Sequence, residues 1–398
     1  MTNADDMPGS PRPEVQRRST LSRRVTTLFV GLLILAFCLP AFLFLTGLQT
    51  NTDQISRSER RVLQGLPSFE GDARAYTAQM DDYLEDRFGL RMLLIRLARK
   101  VRDNLGENPP NVIYGQDGWL YLGALKYRDE FEGQGSWSNE RVERWVESLS
   151  NVNAALSARD IPFIAFIAID KARAYPEFLP EDWQEGTRRF RSFVYQHPDA
   201  AQTGLIDAER YVMQAKAAGK KTFYSRDTHW TADGTYDLAM AIMDRFDPDG
   251  SLPRYMPAPA QVRESERLLD LDAMAGFERS NEPPALMIGF PQGGPDGLTR
   301  LEPTAPDSPH VGQFATVRSD GTHDVGDKRL VIVGDSFADS MLGHFLPSYA
   351  DIIRIHHGAH LFDVSLDEVL AYEPDAVLFA TAERQAAQKD QPFQPIRP

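Results

Sequence analysis

The sequence predicts an α/β domain with a mostly parallel sheet, preceded by one membrane-spanning helix, and three observations predict it. First, from Asn139 to Ala380 short apolar runs alternate with segments of helical periodicity, the pattern of parallel strands joined by crossover helices. Second, Pro162 to Ile169 (PFIAFIAI) is a continuous apolar run, as expected of a strand buried on both faces. Third, Val25 to Leu48 is a run of 24 residues without a charge, which as a helix would span roughly 36 Å, enough for a hydrocarbon core of about 30 Å.

The membrane segment comes first along the chain. Arg17, Arg18, Arg23 and Arg24 precede it, and no charge follows until Asp53. The positive-inside rule then places residues 1–24 in the cytoplasm as a short tail and everything after Leu48 outside. The rival is a cleavable signal peptide, whose apolar region would be shorter and would end in small residues. The run here ends FLTGLQT, which favours an uncleaved anchor. Cys38, the single cysteine, lies in this run and reads as a lipid-facing residue; one cysteine excludes an intramolecular disulfide framework and a CxxC module.

Residues 49–80 read as a linker, and the α/β domain is expected over residues 81–390. Asp81 to Leu105 has helical spacing. Val112–Tyr114 and Trp119–Leu122 flank the turn GQDG as a hairpin. Asn139–Ala158 is expected to be a helix capped by Ser138, and Ala208–Ala218 a helix ended by Gly219. Thr222–Tyr224 reads as a short strand, and Ala232–Phe246 as a helix capped by Thr231. An insertion spans residues 247–326; its Pro248–Pro309 part holds 11 prolines and little periodicity, so it reads as loop-rich, a candidate lid. Beyond it, Arg329–Val333, Ile352–Ile355 and Ala376–Ala380 read as strands. Phe337–Phe345 and Leu366–Tyr372 read as helices, the latter opened by the capping box Ser365-x-x-Glu368.

Charge narrows the functional classes. The chain carries 43 Lys+Arg against 57 Asp+Glu, a formal net charge of −14. The five Arg and three acidic residues of residues 1–52 contribute +2, which leaves −16 on the remainder. A generic nucleic-acid binder would want a basic face, so that class is disfavoured, and a strongly anionic partner is not attracted at long range.

Two short motifs carry chemistry. In RLVIVGDSFADS a buried strand runs into Gly334-Asp335-Ser336 and a helix follows. Ligands of such sheets bind beyond the carboxyl ends of the strands, where Ser336 would stand as a nucleophile with its backbone N–H aimed at an oxyanion. Gly334 would permit the tight turn; the alternative is that Ser336 only caps the helix. In YSRDTHWTADG, Asp227 and His229 stand two apart, so an extended backbone turns both to one side. The carboxylate can then orient the imidazole while the other ring nitrogen reaches Ser336. His356, His357 and His360 form H-H-x-x-H, whose spacing alone allows a metal, but nothing else resembles a zinc site and a non-metal reading is preferred. Trp119 and Trp230 are candidates for stacking on sugars, against the commoner role of core aromatics.

DTHW followed about a hundred residues later by GDSF resembles the SGNH-hydrolase-like polysaccharide O-acetyltransferases, the alginate O-acetyltransferase AlgJ/AlgX family. Further segments resemble it in order: Ser58-Glu59-Arg60-Arg61, Tyr83 to Gly89 (YLEDRFG), Val112 to Leu122, Lys171 with Tyr175-Pro176-Glu177, Pro374-Asp375 and Glu383-Arg384. Ile169-Asp170 departs from the family's proline-containing start of the lysine element. The resemblance implies a three-layer α/β/α fold, with Ser336 as nucleophile, His229 as general base and Asp227 as its orienter. It makes Gly334, Phe337, Arg354, Lys171 and Trp230 candidates for the oxyanion hole or substrate contacts, Arg354 being equally readable as a surface ion pair. No metal or organic cofactor is implied. The expected type is AlgJ-like, without a C-terminal carbohydrate-binding module.

The resulting expectation is a membrane-anchored, periplasm-facing enzyme that carries an acetyl group on Ser336 to a hydroxyl of an exported polysaccharide. The resemblance also implies a multi-spanning membrane acyltransferase partner that delivers the acetyl group. The alternatives are a carbohydrate acetyl esterase using the same residues and a non-catalytic polysaccharide-assembly subunit.

Overall fold

The computed structural model describes residues 26–31, 38–39, 42, 65–69, 73–86, 97, 109, 111–124, 127–254, 259–261, 269–277, 280, 282, 286–288, 298–301, 311–319, 326–339, 341–346, 348–349, 351–356, 364–387 and 396. The chain divides into two compact units, Met1–Glu107 and Asn108–Pro398. In the first, the described regular element of some length is helix α1, Ala73–Asp86. The helix read from Asp81 thus begins within the segment read as linker and falls in the first unit, not in the α/β domain; most of its continuation to Leu105 lies outside the described residues. Of Val25–Leu48, residues 26–31, 38–39 and 42 are described, all helical, and the rest lies outside the described residues. Among the described residues no helix is long and apolar enough to cross a membrane.

The second unit opens with the expected hairpin, β1 (Val112–Tyr114) against β2 (Leu120–Leu122). Asp117 and Gly118 take positive φ, 51° and 78°, which closes the GQDG turn. Helix α2 (Asn139–Ser157) starts where Ser138 Oγ accepts the Arg141 N–H at 3.3 Å. Strand β3 (Phe163–Ala168) follows, then α3 (Ala208–Ala217), ended at Gly219 with φ 84°, and α4 (Ala232–Phe246), capped by Thr231.

The segment read as a loop-rich insertion is structured in part. It holds β4 (Pro259–Gln261), α5 (Asp270–Met274), β5 (Leu286–Ile288), β6 (Leu298–Leu301) and β7 (Val311–Ser319). Strands β8 (Arg329–Gly334), β9 (Asp351–His356) and β10 (Ala376–Ala382) complete the sheet, in the order β3-β10-β8-β9-β7-β6. The pairs β3–β10, β10–β8 and β8–β9 are parallel, whereas β7–β9 and β6–β7 are antiparallel. The sequence reading missed β6 and β7 because the first is only four residues long and both adjoin the proline- and glycine-rich stretch, where no sustained period stands out.

Two shorter expectations need correction. Thr222–Tyr224 is not a strand: Phe223 makes an isolated antiparallel bridge to Trp230, because the chain turns back at once. Phe337–Phe345 is not one helix: it divides into α6 (Ser336–Asp339) and the 3₁₀ turn Leu342–Phe345.

Alternation along the strands builds the layers. Ile164, Phe166, Leu330, Ile332, Ile352 and Leu378 pack with α3 and α4 on one face. Phe163, Ile167, Val331, Val333, Ile353, Val377 and Phe379 pack with α2 and helix α7 (Leu366–Leu370) on the other. The result is a three-layer α/β/α arrangement. β3 is the edge strand of the named sheet, and its apolar run is protected because Ala165 donates to Gly204 O at 3.1 Å and accepts from Ile206 N–H at 2.9 Å.

Candidate active site

Strand β8 delivers Ser336, the candidate nucleophile. Its last residue, Gly334, pairs with Ala380 on one side and His356 on the other. A Cβ at 334 would stand 2.7 Å from Ala380 O and 3.3 Å from the Ala338 Cβ, so glycine is required by the approach of β10, more than by the turn itself. Asp335 is buried and ties the turn to the end of β10. Its carboxylate accepts from Ala382 N–H at 2.7 Å, Thr381 Oγ1 at 3.2 Å and Phe337 N–H at 2.9 Å. Ser336 opens α6, so no carbonyl four residues back within the helix takes its N–H.

His229, the candidate base, arrives on an irregular loop between Thr222 and Thr231, closed by Thr231 N–H to Thr222 O at 2.9 Å. Asp227 Oδ1 accepts the His229 backbone N–H at 3.0 Å and lies 2.6 Å from His229 Nδ1. One oxygen thus shapes the turn and orients the ring. His229 Nε2 lies 2.7 Å from Ser336 Oγ. With Nδ1–H held by a carboxylate, Nε2 is left to accept the serine proton. Burial opposes ionisation of Asp227, but the hydrogen bonds and charge of His229 and the hydrogen bonds from Asp270 outweigh it and hold its pKa well below the usual carboxylate range.

Lys171 was a candidate for substrate contact; the structure puts it beneath the loop, 2% exposed. Its Nζ donates to Asp227 O at 2.8 Å and Ser225 O at 3.1 Å, and also contacts Leu120 O. It is a clamp on the base loop, reached because the short helical turn Lys171–Ala174 follows directly from β3. Burial pushes its amine down to about 7, against the attraction of Asp270, Asp227 and Glu282. Glu282 holds the same loop, accepting from Ser225 N–H at 2.8 Å and Arg226 N–H at 3.1 Å.

Trp230 and Phe337 are core residues, each fully buried. Trp230 Nε1 donates to Phe337 O at 2.8 Å, which joins the base loop to the nucleophile helix, and its ring is not available to a sugar. Phe337 N–H is taken by Asp335, which removes it as an oxyanion donor; its ring packs 5.4 Å from that of His229. Trp119 is half-buried and stacks on Phe178 at 4.5 Å. Arg354 does not end its strand: it pairs in register with Ile332, two residues short of the level of Gly334. His356 ends β9, while His357 and His360 lie outside the described residues.

The residues missed in the sequence are Asp270, Asp335 and Glu282. Asp335 was visible as the middle letter of GDS. Asp270 and Glu282 stand in the insertion, where no spacing relates them to DTH. Asp227, His229 and Asp270 place potential metal-ligating atoms within 4.8 Å of one another. To bind a cation, His229 would have to release Asp227 or Ser336.

A serine after a parallel strand, joined through histidine to aspartate at the carboxyl end of a three-layer α/β/α sheet, defines an SGNH-hydrolase-like protein with the groups for acyl transfer. A family model described as the SGNH hydrolase-like domain of acetyltransferase AlgX matches residues 112–376, and the chain belongs to that family. It is 27% identical over 248 residues to a probable alginate O-acetylase AlgJ of Pseudomonas fluorescens, which covers 59% of this chain and 57% of that protein. It is 28% identical over 155 residues to the protein of that description from Azotobacter vinelandii, 37% of each chain. The chain therefore spans little more than half the length of the first of these relatives. Among solved structures it is similar to the O-acetyltransferase domain of Pseudomonas putida AlgJ, with 19% identity, a TM-score of 0.44, and coverage of 71% of this chain and 94% of that one. Bacillus cereus PatB1 is similar at 15% identity and a TM-score of 0.44, covering 71% of this chain and 99% of that one.

Proposed function

We propose that this protein is a polysaccharide O-acetyltransferase that works through an acetyl-enzyme on Ser336. The observation that carries the reading is the relay itself: Asp227 to His229 at 2.6 Å and His229 to Ser336 at 2.7 Å, in a chain of an acetyltransferase family. In the first half-reaction Ser336 Oγ attacks the acetyl carbonyl of the donor and its proton passes to His229 Nε2. The Ser336 N–H donates to the oxyanion. The carbonyl re-forms, the donor's leaving oxygen or sulfur departs with that proton, and the acetyl ester stays on Oγ. In the second, a sugar hydroxyl gives its proton to Nε2 and attacks the ester, and Ser336 recovers the proton as it leaves. Asp227 holds the imidazolium formed in each half.

The setting is proposed from the sequence. Val25–Leu48 anchors the chain in the inner membrane, with Arg17, Arg18, Arg23 and Arg24 on the cytoplasmic side and the catalytic unit in the periplasm. A multi-spanning acyltransferase partner supplies the acetyl group. The acceptor is an exported polysaccharide. The −16 charge beyond residue 52 suits a neutral or weakly charged polymer better than alginate, the substrate named for the relatives.

The test is intact-protein mass spectrometry of the full chain in detergent after incubation with an activated acetyl ester, beside Ser336→Ala. An acetyl adduct on wild type that is absent from the variant and discharges onto added oligosaccharide is expected. Discharge to water alone with every neutral and anionic oligosaccharide offered would make the protein an esterase. Absence of any adduct would overturn the acetyl-enzyme.

A further inference from the structure

The insertion puts a second carboxylate behind the catalytic histidine. Asp270 begins α5, is about nine-tenths buried, and its Oδ2 lies 3.6 Å from His229 Nδ1 on the side away from Ser336. Its backbone N–H donates to Asp227 Oδ2 at 3.1 Å, the oxygen that His229 leaves free. Its own carboxylate is aimed by Thr228: the backbone N–H donates to Oδ1 at 2.7 Å and the hydroxyl donates to Oδ2. Thr228 stands between Asp227 and His229 in the chain, so Asp270 grips the DTH turn from outside while Asp227 grips it from within.

We propose that Asp270 is a positioning residue of the relay, a second carboxylate that fixes Asp227 and shares the charge of the imidazolium. The inference rests on the acyl-transfer reading above. It gives the insertion a task other than that of a lid. A carboxylate at 3.6 Å stabilises a cation on the ring by more than it stabilises the neutral ring, so it favours the transition state in which His229 has taken the serine proton. The cost of placing two carboxylates together is offset by the groups around them. Asp227 receives two N–H donors and the ring, Asp270 receives Thr228, and Lys171 Nζ donates to the Asp227 carbonyl from beneath the loop. The Arg226–Asp272 ion pair and Glu282 complete the charged surroundings of the loop.

The experiment reads a reaction that needs the relay but no sugar. A sulfonyl fluoride reacts with Ser336 by forming an Oγ–S bond and breaking S–F; fluoride leaves and the serine proton goes to His229. Labelling rates of the full chain are measured from pH 5 to 9 for wild type and Asp270→Asn, which keeps the shape, the backbone N–H and an acceptor for Thr228. The expected result is a rate about tenfold lower, with the acid limb of the profile moved about one unit to lower pH. An unchanged profile, at whatever rate, would reduce Asp270 to a structural anchor and overturn the proposal. If Asp270→Asn does not fold, Asp227→Asn replaces it: with Asp270 still behind the ring, it labels about tenfold or more faster than His229→Ala, and equal rates would overturn the proposal. Failure of wild type to label at Ser336 would instead sink the acyl-transfer reading, so the two failures are told apart.

Discussion

Ser336 and His229 meet at 2.7 Å, yet the segments that carry them are held in different ways. The turn that carries Ser336 is a product of the sheet. Gly334 is the last rung of β8, flanked by β10 and β9, and Asp335 is bound to the backbone and hydroxyl at the end of β10. Among the described residues the loop that carries His229 has no ladder beyond the single bridge of Phe223 to Trp230 and one further backbone bond, Leu120 N–H to Ser225 O at 2.9 Å. Side chains from distant parts of the sequence hold it instead: Lys171 from beneath, and Asp270 and Glu282 from the insertion. A sheet-built turn is fixed by backbone register and tolerates little added volume. A side-chain-built loop is fixed by buried charge and responds to pH and to the loss of a single donor.

The largest effect separating the two is expected from Gly334→Ala. Its Cβ would press on a backbone oxygen at 2.7 Å in a sheet that cannot yield. Displacement of Ser336 should lower sulfonyl fluoride labelling about 100-fold and cost about 1–3 kcal/mol in denaturant unfolding. A neutral result would break the claim that register sets the nucleophile.

Acidification tests the seam between the regions. His344, in the turn after α6, is buried against the start of α4, its Nε2 2.9 Å from Ala232 O. Burial outweighs that hydrogen bond and lowers its imidazole to about 4. The unfolded chain takes up this proton first as pH falls, so stability is lost from about pH 6.5 down to about 4. The loss totals about 3 kcal/mol. His344→Gln should remove that part of the slope in chemical denaturation followed across this range.

On the base side, Lys171→Met removes the clamp without adding a charge. Labelling should fall about tenfold as the Ser225 and Asp227 carbonyls lose their donor, with a smaller change in thermal midpoint because a costly buried ammonium is also removed. Arginine should not rescue it, since its planar fork does not fit a pocket of converging carbonyls. Equal activity of Lys171→Met and wild type would show that the loop holds itself. The smallest effect on labelling is expected from Trp230→Phe, which deletes the hydrogen bond to Phe337 O and leaves a cavity in a fully buried site, and so should cost about 2 kcal/mol of stability.

The parts legible in the sequence were those whose signal is local. The strands Phe163–Ala168 and Arg329–Gly334 announced themselves as unbroken apolar runs, and Ser138, Thr231 and Ser365 marked helix starts that their side chains indeed cap. Asp227, His229 and Ser336 were named from two short motifs and the order in which they occur, and the fold brings them into hydrogen-bonding contact. The weaker assignments failed for an equally physical reason. Trp230, Phe337 and Lys171 lie within or near the motifs, but burial is a tertiary property: the first two line the core, and the third points into the underside of a loop.

By itself, then, the sequence determined the α/β class, the placement of most elements and the residues of the Asp227–His229–Ser336 hydrogen-bonded set, because periodicity, capping and motif chemistry act over a few residues. The tertiary structure alone decided which groups hold them. That Asp270 stands behind His229, that Asp335 is spent on β10, and that Gly334 answers to Ala380 follow from chain crossings tens of residues apart in sequence. No local pattern encodes such crossings, because they are selected by how the layers pack.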